Sequence, residues 1–338
     1  MTARRALVTG GGGFVGGALV RRLIADGWEV RSLARGMYPE LSALGVDARR
    51  GDLADAAAVH DAASDCDVVF HVAAKAGVWG PHDDYHRANV LGTENVLAAC
   101  RALDVPRLVH TSTPSVVYDG CDQEGLDESA PYPTTFLCAY PATKAAAERA
   151  VLAANGDGLT TVALRPHLVW GPGDRHLVPR IIERGRAGEL RRVGSRTCLV
   201  DASYVDNVVD AHVAAATADP AQCGGNAYFI ANEEPLPIAD LVNRILAAGG
   251  LPPVTRTIPA SVAYAAGAVL ETVYRLLGKT DEPRMTRFVA RQLSTAHWFD
   301  LSAAKRDLDW RPRVSTDEGM ERLSAWLRES GLHGGASA

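Results

Sequence analysis

The chain lacks any apolar run of the roughly 20 residues that a membrane-spanning helix requires. Its longest candidate, residues 258–278, is broken by Glu271 and Arg275. It also lacks a basic stretch: the formal net charge is −5 and the cations are dispersed, so nucleic acid is not an expected partner. The six cysteines (Cys66, Cys100, Cys121, Cys138, Cys198, Cys223) include no C-x-x-C pair. No His/Cys/carboxylate cluster has ligand spacing, so no metal is expected. Scattered cysteines suit reduced thiols in a cytoplasmic protein. Met1 leads into an apolar run within a few residues, which leaves no room for a targeting segment. Internal repeats and low-complexity linkers are missing too. What is present is 338 residues, 47% hydrophobic and 22% charged, enough for one large α/β domain or a domain with a smaller lobe.

The most informative stretch is Ala6-Leu7-Val8-Thr9-Gly10-Gly11-Gly12-Gly13-Phe14-Val15-Gly16-Gly17. A short apolar run enters a glycine cluster, and an amphipathic stretch from Ala18 to Asp26 leaves it. That is the strand–turn–helix context of a dinucleotide fingerprint. Glycine lets the backbone turn at Gly10, approach a pyrophosphate at Gly13 and pack helix on strand at Gly16. A helix starting near Gly13 aims its unpaired N–H groups at the phosphates. A ligand-free tight turn is the plain alternative.

Further along, Glu29 to Arg35 reads as a second strand. An NAD-preferring fold places a carboxylate about 20 residues beyond the fingerprint, where this chain has Ala34, Arg35 and Gly36. Arg35 suits a 2′-phosphate through paired hydrogen bonds, which favours NADP(H) over NAD(H); otherwise it is a solvated arginine. Val46 to Arg50 is a third strand, with Asp52 positioned to meet an adenine or to cap a helix from Leu53. Asp67 to Ala74 is an apolar fourth strand in which His71 reads as a core histidine. A helix is expected over Tyr85 to Leu103, with Asn89 inside it, and a fifth strand over Arg107 to Thr113. Residues 114–136 read as a long loop, which a compact domain usually keeps for function. An alanine-rich helix from Tyr140 to about Ala154 and a strand at Thr161 to Leu164 follow. Strict alternation then fails, and the chain becomes α+β in texture.

The predicted fold is α/β, a doubly wound (Rossmann) parallel sheet with a smaller interleaved α+β substrate-binding lobe. Residues 1–165 form the dinucleotide-binding domain, 166–331 the lobe and 332–338 a flexible tail.

Tyr140 and Lys144 lie one turn apart on a single helix face. Reducing a carbonyl puts charge on its oxygen, so a proton donor must stand beside it. An unperturbed tyrosine, pKa about 10, is poorly matched to neutral pH. An ammonium one turn away is expected to lower that value. The hydroxyl of Thr113, or of its neighbour Ser112, would steady the substrate oxygen. Ordinary packing of the tyrosine and a solvated lysine is the alternative.

Taken with Thr9 to Gly16, Asp52, His71-Val72-Ala73-Ala74, Thr111-Ser112-Thr113, Tyr140 to Lys144 and Arg165-Pro166, the chain resembles an extended short-chain dehydrogenase/reductase. Tyr204-Val205-Asp206-Asn207 and Leu308 to Pro312 extend the likeness over nearly its whole length. Within that superfamily it most resembles the 3β-hydroxysteroid dehydrogenase branch. Ala73 to Gly80, Thr113-Pro114-Ser115-Val116 and Trp170 to Asp174 are similar to the 2-alkyl-3-oxoalkanoate reductases of bacterial olefin synthesis. The resemblance implies NADPH-dependent reduction of a 3-oxo group, with Thr113, Tyr140, Lys144 and Asn89 catalytic; Asn89 alternatively braces its helix. It implies cofactor contacts at Gly10, Gly13, Phe14, Val15, Gly16, Arg35, Asp52, Leu53, Ala73, Ala74, Tyr140, Lys144 and Pro166. Substrate contacts fall at Lys75, Trp79, Thr113, Pro114, Ser115 and His167, and a homo-oligomer is the expected assembly.

The stretch Ile258 to Leu277 carries more apolar residues than one helix face needs. The surplus fits an acyl cavity, a partner enzyme or a peripheral membrane contact, while the plain alternative is a helix buried between lobes. A hydrophobic small-molecule substrate is therefore expected. A 3β-hydroxysteroid or sterol dehydrogenase, a nucleotide-sugar epimerase and a non-catalytic cofactor sensor are the competing readings, in that order.

Overall fold

A computed structural model of the protein describes residues 4–331. The expected tail at 332–338 lies outside them. Seven parallel strands form the main sheet: β1 (Arg5–Thr9), β2 (Glu29–Ala34), β3 (Asp47–Arg50), β4 (Val68–His71), β5 (Arg107–Thr111), β7 (Thr160–Pro166) and β8 (Asn226–Ile230). The intervening strand β6 (Gln123–Leu126) belongs to a second sheet. The spatial order β8-β7-β5-β4-β1-β2-β3 reverses between β1 and β4. Such a switch point opens a crevice at the carboxyl ends of the strands. Strands β1 and β4 are almost wholly buried, as parallel strands covered on both faces must be. The sheet draws its last strand, β8, from well beyond residue 166, and it is paired in register with β7 from Asn226↔Val162 to Ile230↔Pro166.

Helix α1 (Phe14–Ala25) turns Leu19, Val20 and Leu23 onto the sheet, and none of the three is exposed. Each such burial is worth about 1.5–3 kcal/mol. Helix α2 (Ala56–Ala63) starts later than expected. Asp55, not Asp52, caps it by accepting from the amides of Ala57 and Ala58. The chain after Gly51 needs one more turn, closed by Asp55 N–H donating to the Asp52 carbonyl at 2.9 Å.

The segment expected as one helix over Tyr85–Leu103 has three parts. A helical turn at His82–Tyr85 runs into a π-helical turn at His86–Leu91 and then into α3 (Gly92–Ala102). Residues 114–136 also hold more order than a loop: a 3₁₀ turn at Pro114–Val117 and strand β6, which pairs with β9 (His297–Phe299). No local pattern could show that, because the partner lies more than 170 residues away.

Helix α4 (Ala139–Ala153) is pinned to β7 by a buried ion pair. Arg165 is bound to Glu148 at 2.7 Å with both side chains at most 2% exposed, and the Tyr132 hydroxyl donates to the same carboxylate. Removing either partner of such a pair costs about 3–5 kcal/mol. Helix α5 (Ala260–Leu276) corrects a further expectation: it is not buried between lobes. Only Ala263, Gly267 and Glu271 of its residues are buried.

Candidate active site

The glycine turn is bare backbone shaped for close approach. Gly10 has φ 74°, and a Cβ there would lie 3.0 Å from Ala73. A Cβ on Gly16 would lie 2.2 Å from the Gly10 carbonyl oxygen, so only glycine fits. The first turn of α1 has no acidic residue, and Gly13 brings no capping side chain, so the positive helix end is left for a ligand. These residues fit a dinucleotide pyrophosphate. Phe14 and Val15 start the helix and pack into the core behind it.

Arg35, at the carboxyl end of β2, is exposed. Arg50 stands beside it and donates from Nε to the Arg35 carbonyl at 3.2 Å. The Tyr38 ring lies against Gly12, where a Cβ would come within 2.3 Å of it. Sequence reasoning missed Arg50 and Tyr38, because only the pairing of β2 with β3 and the fold of the following turn bring them here. Asp52 accepts from the Ala54 amide at 3.0 Å and lies 3.6 Å from Arg87. Leu53 packs beneath Gly92. Ala73 donates its amide to Thr9 Oγ1 at 3.1 Å, which ties the end of β4 to the glycine turn. Ala74 follows directly, and Pro166 is the last residue of β7, buried beside Ile230 of β8.

The structure brings Thr113 and Tyr140 together: the Thr113 hydroxyl faces the phenol closely enough to pull its pKa down. Thr113 also donates to Ser115 Oγ at 3.3 Å and accepts the Ser115 amide at 3.2 Å, which fixes its rotamer above Pro114. Ser112 is buried with its Oγ unpartnered. Thr113 is therefore the hydroxyl in contact with the phenol.

The relation between Tyr140 and Lys144 differs from the expectation. Burial pushes the Tyr140 phenol up to about 12, partly opposed by the Thr113 hydrogen bond. Lys144 does not counter this rise. Its Nζ is turned beneath β5, donating to the Thr111 carbonyl at 2.6 Å and pairing with His110 Nε2 at 3.1 Å. Burial lowers its own pKa to about 7, against a smaller upward pull from Glu148. The Lys144 ammonium is thus bonded beneath β5 and not to the phenol. His110 was not anticipated; an inward-facing histidine in an apolar strand carries no local mark of its partner.

Asn89 is 1% exposed and fully engaged. Its Oδ1 accepts the Lys75 amide at 2.7 Å, and its Nδ2 donates to the Lys75 carbonyl at 3.1 Å and to Thr143 Oγ1 at 3.0 Å. The π turn that carries it is the kind of irregularity that marks functional segments. Asn89 thus clasps the chain leaving β4 to the helix that presents Tyr140. His71 bonds Thr9 and Thr93 inside the core, as a structural histidine does.

A cavity of about 300 Å³ opens beside Cys138 and Ala139, immediately before Tyr140. Val78, Trp79, Tyr85, Leu137, Tyr274 and Phe288 give it apolar walls, and Arg275 and Lys279 stand in its lining. Trp79 is fixed by an Nε1 hydrogen bond to the Lys279 carbonyl at 3.0 Å. Lys75 pairs with Asp84 at 2.9 Å. His167 donates from Nδ1 to the Asp201 carbonyl at 2.8 Å and packs edge-on to His297 and Phe299, within the second sheet. A second cavity, near Arg5 and Trp28, lies at the amino ends of the strands, away from the crevice where such sheets bind ligands. Among the described residues no group of three or more His, Cys, Asp or Glu could hold a metal.

A seven-stranded Rossmann sheet, a glycine phosphate turn at its switch point and a tyrosine beside a threonine hydroxyl define a short-chain dehydrogenase/reductase, an NAD(P)-dependent oxidoreductase. The chain belongs to the 3-beta hydroxysteroid dehydrogenase/isomerase family, whose model matches residues 7–259. It is 54% identical to the 2-alkyl-3-oxoalkanoate reductase of Shewanella oneidensis, over 95% of this chain and 86% of that one. It is 52% identical to the enzyme of the same description from Stenotrophomonas maltophilia, over 95% and 98%. Among solved structures, MoeE5 in complex with UDP-glucose and NAD matches with TM-score 0.74 and 29% identity, over 96% of this chain and 99% of that one.

Proposed function

We propose that this protein reduces the 3-oxo group of a 2-alkyl-3-oxoalkanoate to the 3-hydroxyalkanoate, drawing on NADPH in preference to NADH. The observation that carries the reading is the approach of Thr113 to Tyr140, one residue beyond Cys138 and Ala139 in the wall of a cavity with apolar lining. The kinship with two reductases of that description supports it. The bound cofactor supplies the hydride. Tyr140 holds the proton that the carbonyl oxygen takes up. Thr113 donates a second hydrogen bond to the developing oxyanion. Lys144 and Asn89 act as positioning residues: Lys144 anchors the underside of the site at Thr111, and Asn89 sets the distance between the β4 end and α4. Val78, Trp79, Tyr85 and Leu137 receive an alkyl chain. Arg35, with Arg50 beside it, meets the 2′-phosphate.

The test is a substrate panel of 2-alkyl-3-oxo acids, 3β-hydroxysteroids and UDP-sugars, followed by absorbance of the reduced nicotinamide and by product analysis for the sugars. Turnover of the oxo acids is expected, and Tyr140→Phe is expected to keep cofactor affinity while activity falls about 10²–10⁴-fold. Cofactor binding without turnover of any 3-oxo compound would refute the reading. Preferential turnover of the steroids would favour the family's other chemistry, a 3β-hydroxysteroid dehydrogenase.

A further inference from the structure

The exposed apolar surface of this protein is concentrated on one helix. Val262, Val269, Val273, Leu276 and Leu277 are 53%, 62%, 40%, 81% and 63% exposed, and all lie on α5 or its C-cap. Elsewhere among the described residues only Met37, Leu44 and Leu91 are large apolar residues exposed to a comparable degree, and they stand singly. The spacing from Val262 through Val269 and Val273 to Leu276 keeps them on a single face. The stripe runs the length of a 17-residue helix, roughly 25 Å. The opposite face is anchored: a Cβ on Gly267 would lie 2.6 Å from the Thr286 backbone, and buried Glu271 binds Arg287. The helix is therefore held rigidly with its apolar side outward.

Two further observations say what covers that side. The first is charge. The chain is acidic overall, yet from residue 256 to 292 six cations (Arg256, Arg275, Lys279, Arg284, Arg287, Arg291) stand against three carboxylates: Glu271, buried and paired with Arg287, Glu282, paired with Arg180, and exposed Asp281. Exposed Arg256 stands ahead of the helix and Lys279 just beyond its end, while Arg275 leans inward onto Glu271 and the Trp79 ring. An apolar stripe edged by cations matches an anionic lipid surface, where headgroups meet the cations and the stripe enters the acyl boundary. The second is continuity. Tyr274, Arg275, Gly278 and Lys279, at the far end of the stripe, also line the cavity beside Tyr140.

We propose that α5 docks the protein on anionic membrane surfaces, lying in the interface plane, and that the cavity opens toward the lipid from which a water-insoluble substrate enters. The substrate half of this inference rests on the hydrophobic-substrate reading above; the docking half does not.

The full-length protein is tested by co-sedimentation with vesicles of phosphatidylglycerol and phosphatidylcholine, against phosphatidylcholine alone, at low and high salt. Binding is expected to the anionic vesicles and to weaken with salt. The double substitution Val269→Asp with Leu276→Asp is expected to lower vesicle affinity about tenfold or more. Its thermal midpoint and NADPH affinity should match the parent, since neither residue touches the glycine turn or lines the cavity. Turnover of a short, soluble 3-oxo acid should also match, whereas turnover of a long-chain one embedded in vesicles should fall. Vesicle binding absent in the parent, or equal in the double variant, overturns the proposal. So does a parent dimer that the double substitution converts to monomer, because a second copy would then cover the stripe. Loss of short-chain turnover in parent and variant alike would sink the enzymatic reading and leave the vesicle result to stand by itself.

Discussion

Acidification is expected to destabilise this protein earlier than an ordinary domain of its size. His71, His110, His167, His212 and His297 are buried, and burial holds each well below its ordinary pKa. His71 and His297 fall to about 3, and His167 and His212 to about 4. In the unfolded chain all five take up a proton near pH 6.5. Between that value and the folded ones the unfolded state binds protons that the folded state refuses, so stability is lost as pH falls. Each group contributes about 1.4 kcal/mol, or about 7 kcal/mol for the five, on descending from about pH 7.5 to 5.5. Lys144, lowered to about 7, has the same sign and adds roughly 1 kcal/mol on descending from about pH 7.5. Asp201 has the opposite sign: burial raises it to about 7, so the folded state takes its proton first and recovers roughly 2 kcal/mol. The net loss of roughly 6 kcal/mol is comparable with the whole stability of a typical domain. Thermal melts by circular dichroism at about pH 7.5 and 5.5 should differ by roughly 10 °C, with proton uptake on unfolding at the lower value. A midpoint that is flat or rises between the two would refute the assignment of these histidines as neutral and buried.

For the cofactor, Arg35→Ala should weaken NADPH about tenfold and leave NADH nearly unchanged by titration of tryptophan fluorescence, since one charge-assisted pair is lost. Equal losses for both would remove Arg35 from the 2′-phosphate. Asn89→Ala should cost about 3 kcal/mol in urea denaturation, because both backbone groups of Lys75 lose their buried partner. The same variant should lower kcat more than KM for the oxo acid; a loss under about 1 kcal/mol with unchanged kcat would show that the clasp is idle.

Much of this molecule is written locally. A glycine turn between a strand and a helix, and a tyrosine one helical turn from a lysine, are determined by sterics and by the 3.6-residue period within a few residues of each other. Those features carried the Rossmann sheet, the dinucleotide crevice and Tyr140 with its neighbours. The burial of His71 was equally plain, because an apolar strand shows its own environment. Other features depend on what the chain meets far away. Strand β6 exists because β9 returns beside it, and Asp52 lost the helix cap to Asp55 through the path of one extra turn. Lys144 was expected beside the phenol; it instead reaches the Thr111 carbonyl and His110, which β5 carries beneath α4. The apolar surplus of α5 was visible in the sequence, but its direction was not. Composition sets how much apolar surface a helix owns, and only the packing of Gly267 and Glu271 against the segment at 286–287 decides that this surface faces outward.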